Sequence, residues 1–301
     1  MTRPNSLGPV LSGVRRPAVA GRFYPADPIA CNEAAEGLVR GADLTGVEIG
    51  PWLGGVVPHA GWVYSGAIAA QTLAAIAAGR AAPPDVVVIF GAIHTPWRID
   101  FAALDVHAAW RLPGGDCPLA AELTRVLADS PAYRLDGRPH EGEHAVEVEL
   151  PLVRAVWPKA TLLPVELPPV ESAGQFGIVA AAAVRSLGKS AVFLASSDLT
   201  HYGPAYGFAP AGVGPDGLKW AIDNDRRLLN RVLDLDAAGV VGEARRHYNA
   251  CGPGAIAAML AACQAMGASR ARLIRHTTSH QVAQPEAEPV NLVGYASAVV
   301  G

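Results

Sequence analysis

The run Gly55-Val56-Val57-Pro58-His59-Ala60-Gly61-Trp62-Val63-Tyr64-Ser65-Gly66 decides how this chain is read. Its apolar half has the character of a buried strand. Pro58 has no N–H to give to a sheet and ends that strand. Gly61 permits a tight backbone, and Ser65 stands where it could cap a helix over Ala67 to Ala78. His59 is thereby delivered to the carboxyl end of a strand, the edge at which open α/β sheets bind their ligands. A metal ligand or an acid/base group is the functional reading; a structural or solvated histidine is the alternative.

The same grammar recurs twice. A strand over Val86 to Phe90 runs into Gly91-Ala92-Ile93-His94-Thr95, and parallel neighbours bring such carboxyl-end loops together. A strand from Leu162 to Glu166 and a helix from Ser172 to Leu187 lead to Ala191-Val192-Phe193-Leu194-Ala195, followed by Ser196-Ser197-Asp198-Leu199-Thr200-His201. In that cluster His201 reads as an acid/base and Asp198 as the group that orients or charges it. Strands alternating with helices over most of the length predict a single α/β domain, with a mixed, largely parallel central sheet covered by helices on both faces. That domain is expected over residues 15–301, after a flexible tail at 1–14.

Between these strands, Asp27 before Pro28 fits a helix N-cap, with the helix over about Ile29 to Val39. A strand near Ala103 to Val106, a turn holding Cys117 and a helix near Leu119 to Asp129 follow. In His140-Glu141-Gly142-Glu143-His144-Ala145-Val146-Glu147-Val148-Glu149 the spacing describes a helix start. Its carboxylates would favour the positive dipole end. Glu147 and Glu149 are read as ordinary helix charges, and Glu143 and His144 as facing the site, with Tyr64 and Ser197 as further pocket candidates. The Gly- and Pro-rich stretch Pro204 to Gly217 reads as a mobile loop or lid. Cys251, at the entrance of an Ala-rich helix running to Met266, has its thiolate favoured by the dipole; Cys31 and Cys263 read as core. Strands over Leu273 to His276 and Leu292 to Val300 close the chain, and His276, Thr278 and His280 show no partner pattern.

Composition narrows the function classes. Of 301 residues, 50% are hydrophobic and 17% charged, with a mean hydropathy of +0.23, enough for a large core. A net charge of -3 and a pI near 6.3 supply no basic surface for nucleic acid or anionic lipid. No apolar run approaches the ~18 to 20 residues of a membrane span, and the polar N-terminus lacks the apolar core of a signal peptide. A cytoplasmic protein is expected, its oligomeric state unspecified. The four cysteines form no C-x-x-C pair, against a disulfide framework or a structural zinc knuckle.

Taken together the motifs resemble the Memo family, whose bacterial members are called AmmeMemoRadiSam system protein B. The resemblance is carried by Ala20-Gly21-x-Phe23-Tyr24-Pro25-Ala26, Pro58-His59-Ala60-Gly61, Gly91 to His94, Glu143-His144-Ala145-Val146-Glu147, Ser196-Ser197-Asp198 with His201, Cys251-Gly252 and Gly294-Tyr295-Ala296. It implies a fold related to the class III extradiol dioxygenases and a mononuclear site whose ligands map onto His59, His94 and Cys251. Iron(II) is the first expectation, with copper or zinc as competitors, and Asp198 and His201 stand beside the site. The chain departs from the family at Ala92-Ile93, where Pro-Ser is usual, and at Pro253, where an arginine is common. Implied functions are a dioxygenase-like oxidoreductase for a small phenolic or other polar substrate, or a non-catalytic protein that binds a redox metal or a peptide. The residues alone also allow Cys251 as a hydrolase nucleophile served by His201 and Asp198.

Overall fold

Every residue of Val86–Ala92 is buried, which a strand achieves only where both faces of its sheet are covered. The structure, a computed structural model, describes residues 11–301. In chain order its strands are β1 (Val14–Arg15), β2 (Gly54–Val57), β3 (Val86–Ala92), β4 (Ala102–Leu104), β5 (Ala109–Leu112), β6 (Gly115–Pro118), β7 (Tyr133–Leu135), β8 (Thr161–Leu167), β9 (Ala191–Ser196), β10 (His201–Tyr202), β11 (Ala271–Thr278) and β12 (Leu292–Val300). The helices are α1 (Pro28–Arg40), α2 (Trp62–Ala78), α3 (Ala121–Ala128), α4 (Leu150–Val156), α5 (Ala173–Ser186), α6 (Pro215–Leu233), α7 (Ala237–His247), α8 (Pro253–Ala265) and α9 (Ser279–Ala283).

The main sheet runs β10-β12-β2-β9-β3-β8-β4-β7, with β11 also paired to β12. Its centre, β2-β9-β3-β8, is parallel throughout, while β12 is antiparallel to β2 and β4 to β8. Successive side chains of a strand point to opposite faces, and β3 divides accordingly. Val86, Val88 and Phe90 enter a core with α5 and α8; Val87 and Ile89 enter the core under α1, α2 and α4. The expected α/β architecture, a mixed sheet with helices on both faces, is what the chain adopts; the parallel order holds at the centre, and over the whole sheet four pairings are parallel and four antiparallel. β2, β9 and β3 are adjacent, so residues just beyond Val57, Ser196 and Ala92 meet at one edge.

Several local expectations are corrected. The helix after β2 starts at Trp62, a turn early, because Trp62 N–H donates to Phe23 O (2.8 Å) across the turn. Ser65 is no cap; its hydroxyl donates to Ala60 O (2.9 Å). Cys117 lies buried in β6 rather than in a turn. The stretch Pro204 to Gly217 is not a free lid. It holds a 3₁₀ turn over Pro204–Tyr206 and the first turn of α6. Between them, Tyr202 Oη donates to Gly212 O (2.7 Å) and Gly214 N donates to Pro289 O (2.7 Å). Of the tail at 1–14, residues 1–10 lie outside the described residues; Ser12 N donates to Val106 O and Val14 pairs with Ala109. The Asp27 N-cap of α1 forms as read, accepting from Ala30 N (2.9 Å). No helix among the described residues is long and apolar enough to cross a membrane.

Glu147 and Glu149 are the largest departure, since both are fully buried in a 3₁₀ turn ahead of α4. Glu147 accepts from Arg15 Nη1 (2.6 Å), Ala18 N (2.7 Å), Val19 N (2.9 Å) and Tyr24 Oη (2.9 Å). It therefore fastens the N-terminal segment to the core. Glu149 has no hydrogen-bond partner among the described residues, and burial, with Asp198 nearby, holds its carboxyl well above the usual range, which favours its neutral form. Breaking a buried ion pair from one side strands the other charge. Glu147→Ala should therefore lower the unfolding free energy by about 3–5 kcal/mol in urea titration; a loss under ~1 kcal/mol, within the range of exposed pairs, would show that Glu147 does not hold this segment.

Candidate metal centre

His59 is 2% exposed, and two bonds fix it. Its backbone N–H donates to Asp198 Oδ1 (2.9 Å), and its Nδ1 lies 2.8 Å from Ser196 Oγ. Ser196 spends its only proton on Ala145 O (2.5 Å), so its oxygen must accept from His59. The proton of the imidazole therefore sits on Nδ1 and the lone pair on Nε2. Burial, then the neighbouring His94 and His144, keep the ring neutral by pushing its pKa well below the ordinary value.

His94 is fixed by a carboxylate instead. Its Nδ1 is 2.9 Å and its backbone N 2.5 Å from the two oxygens of Glu143. Glu143 is 1% exposed and also receives Thr95 N (3.2 Å), His144 N (2.8 Å) and Ala145 N (3.1 Å), with His144 Nδ1 at 3.1 Å. Burial alone would raise its pKa, but the bonds from His144 and His94 outweigh that and hold it below the usual carboxylate range. For His94 burial likewise opposes the charged ring, yet Cys251 and Glu143 on its two sides push the pKa up to about 11. Glu143 behind the ring and Cys251 before it thus both favour positive charge here, the charge a bound metal cation would supply.

Cys251 precedes α8, whose N-cap is Gly252. Its sulfur is 3.3 Å from His59 Nε2 and accepts from Asp198 N (3.2 Å). Ser197 does not face an open pocket; its hydroxyl accepts from Gly252 N (3.0 Å) and donates to Asp198 O (2.8 Å), tying the start of α8 to the end of β9. Gly252 must be glycine there, because a Cβ would come 2.7 Å from Ser196 O and 3.0 Å from Ser197 Cβ.

The ligand atoms of His59, His94 and Cys251 lie within 4.8 Å of one another. Two imidazole nitrogens and a sulfur, with both Nδ1 positions engaged by second partners, fit one borderline or soft transition metal. His94, Glu143 and His144 form a second such group. The His144 ring is 4.6 Å from that of His94 and 5.2 Å from that of His59, with Phe23 on another side at 5.0 Å.

Asp198 and His201 are near but not coupled as expected. The Asp198 carboxylate is spent on the backbone of His59 and Ala60, and burial raises it to about 7. His201 Nδ1 instead bonds Leu199 O (3.2 Å), which leaves Nε2 as its free nitrogen; burial lowers its pKa. The Cys251–His201–Asp198 triad is therefore not assembled: the imidazole beside the sulfur is His59. Tyr64 is 41% exposed on α2, and Tyr206 packs edge-on to His201 with ring centres 5.1 Å apart. Sequence reasoning missed Ser196 as the group that sets the His59 tautomer, along with Tyr206. A serine ending a central strand was the one available signal for the first, and Tyr206 had none.

A family model described as "Memo-like protein" matches residues 15–299. Among curated proteins the chain is similar to a MEMO1 family protein of Thermococcus kodakarensis, 36% identical over 299 residues, covering 95% of this chain and 99% of that one. It is 34% identical over 295 residues to those of Thermococcus onnurineus and Methanococcoides burtonii, again over 95% of this chain and 99% and 100% of theirs. An uncharacterised Escherichia coli K12 protein of known structure aligns over 72% of this chain and 87% of its own, at 14% identity and a TM-score of 0.44, too loose a likeness to bear on the fold.

Overpacking at a backbone contact costs about 1–3 kcal/mol. Gly252→Ala should lose that much stability in urea titration and speed alkylation of Cys251, whose seat against Asp198 it displaces; an unchanged thiol rate would show that the glycine does not set the sulfur.

Proposed function

The chain belongs to the Memo-like family, and from that premise we propose that it is a mononuclear metal-dependent oxidoreductase of dioxygenase-like type. Its substrate would be a small phenolic or other polar molecule. The observation that carries this reading is the pair of imidazoles whose Nδ1 protons are committed to Ser196 and Glu143, both facing one sulfur. His59, His94 and Cys251 would hold the ion. Iron(II) is preferred, because three ligands on one face leave positions open, and the thiolate makes copper the nearest rival and zinc the next. When bound, the metal supplies Lewis acidity and, as iron or copper, one-electron chemistry.

The chain's own groups divide the remaining work. Glu143 fixes the direction of His94 and compensates charge, as a carboxylate behind a metal-bound histidine does. Ser196 holds His59 in its ligating tautomer. His201, with Nδ1 bound to a carbonyl and Nε2 free, accepts or returns a proton at Nε2. Asp198 positions the His59 loop and presents its backbone N–H to the sulfur of Cys251.

A second reading is supported by the absent contact between Asp198 and His201: the site binds a redox metal or a peptide without turnover. Oxygen uptake over a panel of catechols separates the two readings. Metal analysis of anaerobically purified protein should give one ion per chain, lost in His59→Ala; unchanged content in that variant rules out the site. Glu143→Gln should weaken metal binding about 10–100-fold in a chelator competition. If there is turnover, His201→Ala should keep the metal and lose ~10²- to 10⁴-fold in rate; loss of metal would make His201 a ligand.

A further inference from the structure

Beside His201 lies a cavity of about 240 Å³, walled by Tyr64 from α2, Tyr206, Tyr295 from β12, Ser279 and His280 from α9, and Asn291. It adjoins the candidate metal centre through Tyr206, which lines the cavity and packs on the His201 ring. Not one of its nine lining residues is Lys, Arg, Asp or Glu. A cavity of ~150 Å³ already accepts benzene, so this one holds a single substituted ring. Three phenol rings offer faces and edges to such a ring.

The polar groups are as informative as the walls. His280 is 8% exposed, and its imidazole has no hydrogen-bond partner among the described residues, although the helix that carries it is fixed by a complete capping box from Thr278 and Gln281. The His280 ring nitrogens are not among the buried polar atoms, so they are reached by solvent and open to a ligand's polar group. Asn291 spends its Oδ1 on Ala205 N (2.9 Å), and Ser279 Oγ accepts from Val293 N (3.0 Å), so their positions are set. One imidazole with no protein partner among the described residues opens into an aromatic-walled space lined by no lysine, arginine, aspartate or glutamate.

We propose that this cavity is the substrate's specificity pocket, that it takes an uncharged single ring carrying hydroxyl groups, and that His280 selects it by hydrogen-bonding a ring substituent. The proposal rests on the reading that the neighbouring centre acts on a small polar molecule. An anionic substituent would lose hydration here with no lysine or arginine to replace it. A hydroxyl or other neutral polar group replaces the water on His280 with one direct hydrogen bond at no such cost.

The test is equilibrium binding, by calorimetry under argon, of 4-methylcatechol and 3,4-dihydroxybenzoate to the protein as purified. Both carry the same catechol pair, so any contribution from a bound metal cancels in their ratio. The neutral compound should bind at least about tenfold more tightly, the equivalent of ~1.4 kcal/mol. His280→Ala should weaken it about threefold to tenfold, with metal content unchanged, and His280→Asn should recover part of the loss. Should His280→Ala fail to fold, Tyr206→Ala, altered at a 47% exposed position, should weaken the neutral compound by at least threefold. Equal or tighter binding of the acid, no binding of either compound, or values within twofold of wild type in the folded variants would overturn the proposal. Absence of metal or of oxygen uptake would sink the enzyme reading and leave these ratios standing.

Discussion

The buried carboxylate of Glu143 is the constraint on which this site depends. A charge that is 1% exposed survives only if every lone pair is answered, and here the backbone N–H groups of His94, Thr95, His144 and Ala145 and the rings of His94 and His144 converge on two oxygens. Two loops some fifty residues apart are bound into one unit. The loop after β3 cannot move without leaving the carboxylate unpaired, so His94 is held by an electrostatic penalty rather than by packing.

The chain uses buried carboxylates in opposite ways. Glu143 and Glu147 are surrounded by donors, Glu147 tying Arg15, Tyr24 and two backbone N–H groups to the core. Glu149 and Glu166 are equally buried but have no hydrogen-bond partner among the described residues, and burial first of all favours their neutral form. Asp198 lies between these extremes: its carboxylate carries the His59 loop, while its backbone N–H serves Cys251. Burial without donors neutralises an acid, and burial with donors makes it a fixed negative anchor. The difference lies in what the neighbouring loops present.

Strand adjacency does the rest of the assembly. β2, β9 and β3 are parallel neighbours, which sets His59, Asp198 and His94 in a row. Cys251 arrives from the far side of the sequence because Gly252 allows the start of α8 to press against the last residues of β9. The sulfur then meets His59 from a segment 192 residues away.

Much of this was legible from residues alone. The strand ends at His59, His94 and Asp198 could be read because proline, glycine and apolar runs act locally, and the alternation of strands with helices implied the parallel sheet. The family resemblance mapped Cys251 onto that edge. Local reading failed where partners are distant. Glu147 and Glu149 sit at ordinary helix-start spacing, and nothing nearby in sequence reveals that Arg15 and Tyr24 will donate to the one while the other is buried without a donor among the described residues. Asp198 and His201, three residues apart, looked like a pair, but the extended backbone of β10 carries the ring to Leu199 O, and the carboxylate turns to a loop 139 residues earlier. The sequence by itself determined which side chains reach the sheet edge, because that follows from short-range backbone chemistry. Only the tertiary structure decided which of them are paired, charged or left unsatisfied, because hydrogen bonds and desolvation are set by whichever remote segments close over them.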